Sequence, residues 1–274
     1  MRIDLHMHST FSDGLNPPAE LVQLALEKRL GAISLTDHDC LDGVREASEA
    51  GRALGIEVLS GVELSCEFKG RDLHILGYGV DPDHAEFQDM LRRFRETRHS
   101  RGLKIVEKLN ALGVAVNADD VVRKSGDGAL GRPHIAAVLV DKGIVSHPAE
   151  AFEKYIAEGG PAYVPKYKMT PSEAIRYIRM AGGLAFIAHP GVFLENDEEL
   201  YALLAEGFDG IEVHHPKHTP DIARRLGGIA QTQGLLISGG SDFHGFTGRD
   251  MPVGALDIPY AVLTAIKLRL GRVS

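Results

Sequence analysis

Short apolar runs alternate with amphipathic helical segments along most of this 274-residue chain, and the alternation breaks once and then resumes. An extended segment through Ile3 and Leu5 ends near His8. Asn16 and Pro17 read as an N-cap and first helical position; Leu21, Leu24, Ala25 and Leu30 supply one helical face, and Gly31 stops it. Residues 32–36 read as a buried strand, 41–54 as a helix closed by Gly55, 58–63 as a third strand and 73–78 as a fourth. Strand followed by helix, repeated, predicts a parallel α/β arrangement.

From about His84 to Leu112 one long Arg- and Lys-rich helical stretch, expected to be broken or bent, replaces the alternation. Short helical pieces follow at 119–124, 134–142 and 149–157, and strand character returns only at 162–164. Residues 99–166 therefore read as a small helical insertion, leaving 1–98 and 167–274 as two halves of one discontinuous domain. The resumed alternation has a helix at 170–180 capped by Thr170, then strands at 184–188, 210–213 and 235–238. Helices are expected near 198–205, 221–232 and 260–270.

Chemistry-bearing residues collect where these strands end. On a strand, residues two apart share a face, so His6 and His8 project together and Asp13 can fold back from the following loop. His38, Glu63, His74, His189, Asp242 and His244 sit at or near later strand ends. In barrel-like α/β folds, functional groups gather at the carboxyl side of the strands. Nine nitrogen and oxygen ligands exceed what one ion with four to six ligands can use, so the pattern predicts two or three metals. No convincing Ser–His–Asp set offers a nucleophile instead.

The formal net charge of -8 argues against a broad basic surface for long duplex nucleic acid. It leaves a small phosphorylated substrate open, because bound cations invert the local field. Three divalent ions against Asp13, Glu63 and Asp242 leave about three net positive charges. No apolar run approaches the roughly 20 residues needed to cross a bilayer. The first residues lack the apolar core of a signal peptide, and Cys40 and Cys66 make no disulfide framework. A cytoplasmic enzyme is expected, with both thiols buried.

The His-x-His opening, Asp37-His38-Asp39, Gly61-x-Glu63, the isolated His74, His189-Pro190 and Ser241-Asp242-x-His244 together resemble the PHP (polymerase and histidinol phosphatase) family. The resemblance covers both halves of the chain in order. It implies a distorted seven-stranded (β/α)7 barrel and a trinuclear centre of Mn2+, Zn2+ or Fe2+, with the mixed ligand shell favouring Mn2+. It also implies one metal on His6, His8, Glu63 and Asp242. A second shares Glu63 and takes His74 and His189, and a third uses Asp13, His38 and His244. Some relatives carry histidine where Asp13 stands, which leaves the third site open.

The chain is most similar to family branches with a helical insertion. Those branches remove the 3′-phosphate of nucleoside 3′,5′-bisphosphates or trim RNA 5′ ends; histidinol phosphate is a further family substrate. The expected activity is therefore phosphoester hydrolysis by metal-activated water. The substrate is a small phosphorylated nucleotide or a short RNA end, and a non-enzymatic metal-binding module is the competing class. Arg132 and His134, at a helix start in the insertion, are candidate phosphate contacts. His215, after the sixth strand, is a candidate for phosphate binding or for protonating the leaving oxygen. Lys166 and Lys168 are candidates for a second phosphate, and Asp37 for orienting a ligand at the catalytic centre.

Overall fold

The computed structural model describes residues 1–125, 130–165, 169–194, 196–246, 248 and 250–272. The chain divides into two compact units, Met1–Gln88 with Lys168–Ser274, and Asp89–Tyr167.

The first unit is built on a seven-stranded sheet in sequence order, β1 (Arg2–Asp4), β2 (Leu30–Leu35), β3 (Glu57–Phe68), β4 (Arg71–Tyr78), β5 (Leu184–Ile187), β6 (Gly210–His214) and β7 (Leu236–Gly239). Helices α1 (Pro18–Glu27) and α2 (Val44–Leu54) link the first three strands, which pair in parallel. α1 begins one residue later than the Asn16–Pro17 signal suggests, with Pro17 itself as the cap. Gly55 closes α2 in the left-handed region (φ 73°), where a residue lacking Cβ meets no steric penalty.

The parallel arrangement expected from the first units is interrupted at one place. β3 and β4 form a long antiparallel hairpin around Lys69 and Gly70, both at positive φ, the geometry that a tight hairpin turn requires. β4 therefore runs against every other strand and pairs antiparallel to β5 as well, while β5, β6 and β7 are again parallel. The hairpin also carries Glu63 and His74 in mid-strand positions, not at the strand ends that the sequence suggests.

The second unit is helical and has its own core. It contains most of α3 (Ala85–Ala111), unbroken where a broken or bent helix was expected, then α4 (Ala118–Ser125), α5 (Arg132–Asp141) and α6 (Pro148–Ala151). A π-helical turn at Phe152–Ile156 follows directly. Ile105, Leu109, Val121, Ile135, Leu139, Ile156 and Ala162 are fully buried together in it. The strand expected at 162–164 is absent. The Ala162 amide instead donates to Tyr155 O, folding the segment against the π-helical turn.

Back in the first unit, α7 (Pro171–Met180) starts at Thr170, whose hydroxyl accepts from the Glu173 amide while Glu173 reaches back to the Thr170 N–H. This reciprocal capping satisfies two donors that a helix start otherwise leaves unpaired. Then come α8 (Pro190–Phe193), a turn the periodicity did not signal, α9 (Asp197–Leu204), α10 (Pro220–Thr232) and α11 (Ala261–Arg269). Among the described residues no helix is long and apolar enough to cross a membrane.

Candidate metal centre

Alternation along the N-terminal segment sets the site. Ile3, Leu5 and Met7 are fully buried in the apolar core, which turns Asp4, His6 and His8 to the opposite side. The segment is fixed by backbone hydrogen bonds on both flanks: Thr36 N–H to Met7 O, Leu5 N–H to Gly239 O and His8 N–H to Phe243 O. Gly240 is required here, because a Cβ at that position would lie 2.2 Å from the His6 nitrogen. Asp4 is buried and accepts from the Ser241 and Gly254 amides, tying the first strand to the chain that leaves β7.

The other candidate ligands reach the same place by different routes. Asp39, His189 and Asp242 follow β2, β5 and β7 in the left-handed region (φ 49°, 30° and 52°). Non-glycine residues there carry strain of about 1–3 kcal/mol each, and such strain concentrates at functional sites. The Asp39 amide donates to Glu63 O and the Asp242 amide to His6 O, which holds two of these turns in register. His74 arrives because β4 is reversed, so its early residues lie level with the far end of β5; the Ala188 amide donates to His74 O.

Among the described residues three groups of ligand atoms form, each with its members within 4.8 Å of one another: His6, His8, Glu63 and Asp242; His8, Asp13, His38 and His244; and His38, Glu63 and His74. The first matches the set expected from the sequence, and the second is the expected third set with His8 added. The remaining set differs: His38, not His189, completes the group around Glu63 and His74. His189 Nε2 is nevertheless 3.1 Å from Glu63 Oε1. Glu63 is the hub. Its Oε1 also lies 2.9 Å from His74 Nδ1, and its Oε2 lies within 3.2–3.3 Å of His6 Nε2, His8 Nε2 and His38 Nδ1.

Metal-free, this arrangement is electrostatically lopsided. Burial pushes the Glu63 pKa up, but His38, His74 and His6 outweigh it and hold the carboxylate well below its ordinary range. Burial likewise opposes ionisation of Asp13, yet His38, His8 and His244 bring it to about 2. His8 goes the other way: desolvation disfavours its charge, but Asp242 and Glu63 raise it to about 10. At His38 burial prevails, and its pKa falls to about 3. His6 Nε2, His8 Nδ1, His38 Nδ1 and Glu63 Oε2 are all buried without a hydrogen-bond partner. Each such atom costs about 1–3 kcal/mol. Convergent lone pairs of imidazole and carboxylate are satisfied together by a divalent cation, so the donor set fits one.

The remaining candidates have partners of their own, beginning with Asp37. Its carboxylate accepts from the Ser9 amide (2.7 Å), the Ser9 hydroxyl (2.7 Å) and the Ser12 hydroxyl (2.6 Å), so it braces the first loop. His215 is buried. Its Nδ1 accepts from the Lys217 amide, which leaves the proton on Nε2, 3.3 Å from Asp242 Oδ2. Arg132 and His134 belong to the helical unit. The Arg132 guanidinium lies over Phe152 and Tyr163 and donates to Ile156 O, while His134 Nδ1 accepts from the Gly131 amide. Lys166 and Lys168 lie outside the described residues. Cys40 and Cys66 are buried and form no disulfide.

Sequence reasoning missed Glu212, which is fully buried on β6 with Oε1 2.8 Å from His6 Nδ1. The signal was available: an acid in the middle of a short apolar strand, without Lys or Arg beside it, needs an unusual partner.

A family model described as the PHP domain matches residues 4–139. The chain is 37% identical over 256 residues to a 3′,5′-nucleoside bisphosphate phosphatase of Chromobacterium violaceum, covering 91% of this chain and 90% of the relative. It is 36% identical over 247 residues to a 5′-3′ exoribonuclease of Haemophilus influenzae, covering 89% and 90% respectively. A crystal structure from Bifidobacterium adolescentis, provisionally described as a metal-dependent phosphoesterase, superposes with a TM-score of 0.86 at 32% identity over 97% of this chain and 96% of that one. Likeness of this extent, together with the convergence of histidines and acids, establishes that the chain belongs to the PHP domain family.

Proposed function

We propose that this chain hydrolyses phosphate esters of small nucleotides, with the 3′-phosphate of nucleoside 3′,5′-bisphosphates as its leading target. The observation that carries the reading is the set of three overlapping ligand groups around Glu63, His8 and His38. Three divalent ions, Mn2+ first among them, fit this overlap. His6, His8, Glu63 and Asp242 would hold one; His8, Asp13, His38 and His244 another; and His38, Glu63 and His74, with His189 beside them, the last. Such ions lower the pKa of water toward 7 and neutralise phosphoryl oxygens.

The protein's own groups do the rest. Glu63 and Asp242 keep their charge despite burial, and the His215 Nε2–H against Asp242 Oδ2 orients that carboxylate; with Nδ1 accepting from the Lys217 amide, His215 is a neutral donor suited to contacting phosphate rather than to protonating the departing oxygen. The Leu5–Gly239 hydrogen bond and the parallel bridge of Met7 with Phe243 support closure of the sheet into a distorted seven-stranded barrel. The helical segment 99–166 then acts as an insertion that supplies Arg132 and His134 to the substrate, in a cytoplasmic enzyme. A second reading, removal of nucleotides from the 5′ end of short RNA, is favoured by the similarity to the exoribonuclease of Haemophilus influenzae.

The test compares phosphate release from a nucleoside 3′,5′-bisphosphate with mononucleotide release from a 5′-phosphorylated oligoribonucleotide, with Mn2+ and with chelator. Chelator-sensitive turnover of the bisphosphate is expected. Preferential shortening of the oligomer selects the second reading, and inertness of a metal-loaded chain toward both removes the two together. Arg132→Ala should keep its metal and raise KM about 10-fold or more, the worth of a charge-assisted phosphate contact. Unchanged kinetics would remove Arg132 from the substrate site.

A further inference from the structure

The centre has a buried carboxylate that is not among its ligand atoms. Glu212 stands in β6 with no solvent exposure, and both of its oxygens are engaged. Oε1 lies 2.8 Å from His6 Nδ1, and Oε2 accepts the His189 backbone amide at 2.7 Å. His6 and His189 come from strands far apart in sequence, and His189 is the residue held at φ 30°.

We propose that Glu212 is a positioning residue for the metal centre, fixing the tautomer of His6 and the backbone turn that aims His189. This rests on the reading that His6 holds a cation. An imidazole binds a metal through one nitrogen only if the other carries the proton, and a carboxylate accepting from that second nitrogen enforces the choice. With Glu212 accepting at Nδ1, the His6 lone pair is confined to Nε2. That atom is buried, lacks a hydrogen-bond partner, and lies 3.3 Å from Glu63 Oε2 and 3.4 Å from Asp242 Oδ1. The second oxygen does a different job. The His189 amide would otherwise be a part-buried donor without a partner on a strained turn, and that turn directs His189 Nε2 to within 3.1 Å of Glu63 Oε1. One side chain thus couples two sides of the ligand cluster through Glu63.

Glu212→Gln separates this role from mere packing. The amide has the same shape but only one acceptor oxygen for two donors. If the oxygen stays with the His189 amide, the NH2 faces His6 Nδ1 and drives the imidazole proton to Nε2, which removes its lone pair from the metal. If the oxygen stays with His6, the NH2 faces the His189 N–H and the turn loses its anchor. Either way the centre is degraded.

The experiment titrates Mn2+ into the chelator-stripped full chain, unmodified and as Glu212→Gln, by calorimetry, with ion content after gel filtration measured by elemental analysis. Glu212→Gln should bind at least one ion about 10- to 100-fold more weakly, the usual consequence of losing such a partner. Equal stoichiometry with affinities within about threefold overturns the proposal. The unmodified protein gives a second readout that does not depend on the variant folding. With Zn2+ as a diamagnetic probe, long-range 15N–1H spectra should show His6 protonated at Nδ1 and coordinated at Nε2. Coordination through Nδ1 overturns the proposal. An unmodified chain that takes up no cation removes the functional reading itself, a result distinct from equal binding by the two proteins.

Discussion

His8→Ala offers the sharpest test of the electrostatics, because its effect on stability should depend on pH in a way that cavity formation does not. In the metal-free protein, burial disfavours the His8 cation, but Asp242 and Glu63 raise its pKa from 6.5 to about 10. A group whose pKa is raised on folding contributes stability that is fully present below the unfolded value and lost as pH rises through the folded one. At about 1.4 kcal/mol per pH unit, the contribution is about 4 kcal/mol at pH 7 and about 1 kcal/mol at pH 9. Losing the buried ring itself costs a further amount that does not vary between these two pH values. The gap in melting temperature between the two proteins, both in chelator, should therefore shrink by roughly 5–10 °C from pH 7 to pH 9, at about 2–4 °C per kcal/mol. Thermal melts followed by circular dichroism at the two pH values measure it. A gap that is constant or wider at pH 9 would refute the assignment of a protonated His8 to the metal-free site. With metal present the variant should also lose ions and activity, since His8 belongs to two of the three ligand groups.

The same proton must leave when a cation arrives. Mn2+ binding to the stripped protein at pH 7 should release at least one proton per chain, read from calorimetry in buffers of different ionisation enthalpy, and affinity should rise with pH until His8 titrates near 10; proton uptake would contradict this. Asp37→Ala should leave three donors of the first loop, from Ser9 and Ser12, without their acceptor and cost about 3 kcal/mol. With saturating Mn2+, kcat should stay within about tenfold of the parent, about 1.4 kcal/mol of barrier; a loss of several orders of magnitude would return Asp37 to the catalytic group. Gly240→Ala would place a methyl 2.2 Å from the His6 nitrogen and 2.4 Å from its Cβ, where backbone must shift. We expect destabilisation of about 3 kcal/mol and reduced metal content; a variant with parental melting temperature and ion content would show that the close approach can be relieved.

Much of the architecture was legible in the chain because it is written in local periods. Strand-length apolar runs gave the positions of the seven strands to within a few residues, apart from β1, which ends four residues before the expected end near His8, and β3, which runs five residues further. Thr170, Gly55 and the spacing of His6 and His8 marked a cap, a stop and a shared face. What the sequence hid was direction. Nothing in residues 73–78 distinguishes a strand that runs with its neighbours from one that runs against them, and only the Lys69–Gly70 turn forces β4 back along β3. That reversal brings His74 to the cluster from mid-strand.

Residue chemistry alone selected the ligand candidates, since few arrangements of buried histidines and acids are tolerable without a cation. The grouping of those candidates was beyond it. His38 joins Glu63 and His74 with His189 beside them, Asp37 is held by Ser9 and Ser12, and Glu212 stands behind His6, because these depend on contacts between segments up to 206 positions apart. Local pattern determines which face of a strand a side chain takes; only the packing of strands against one another decides which atoms meet there.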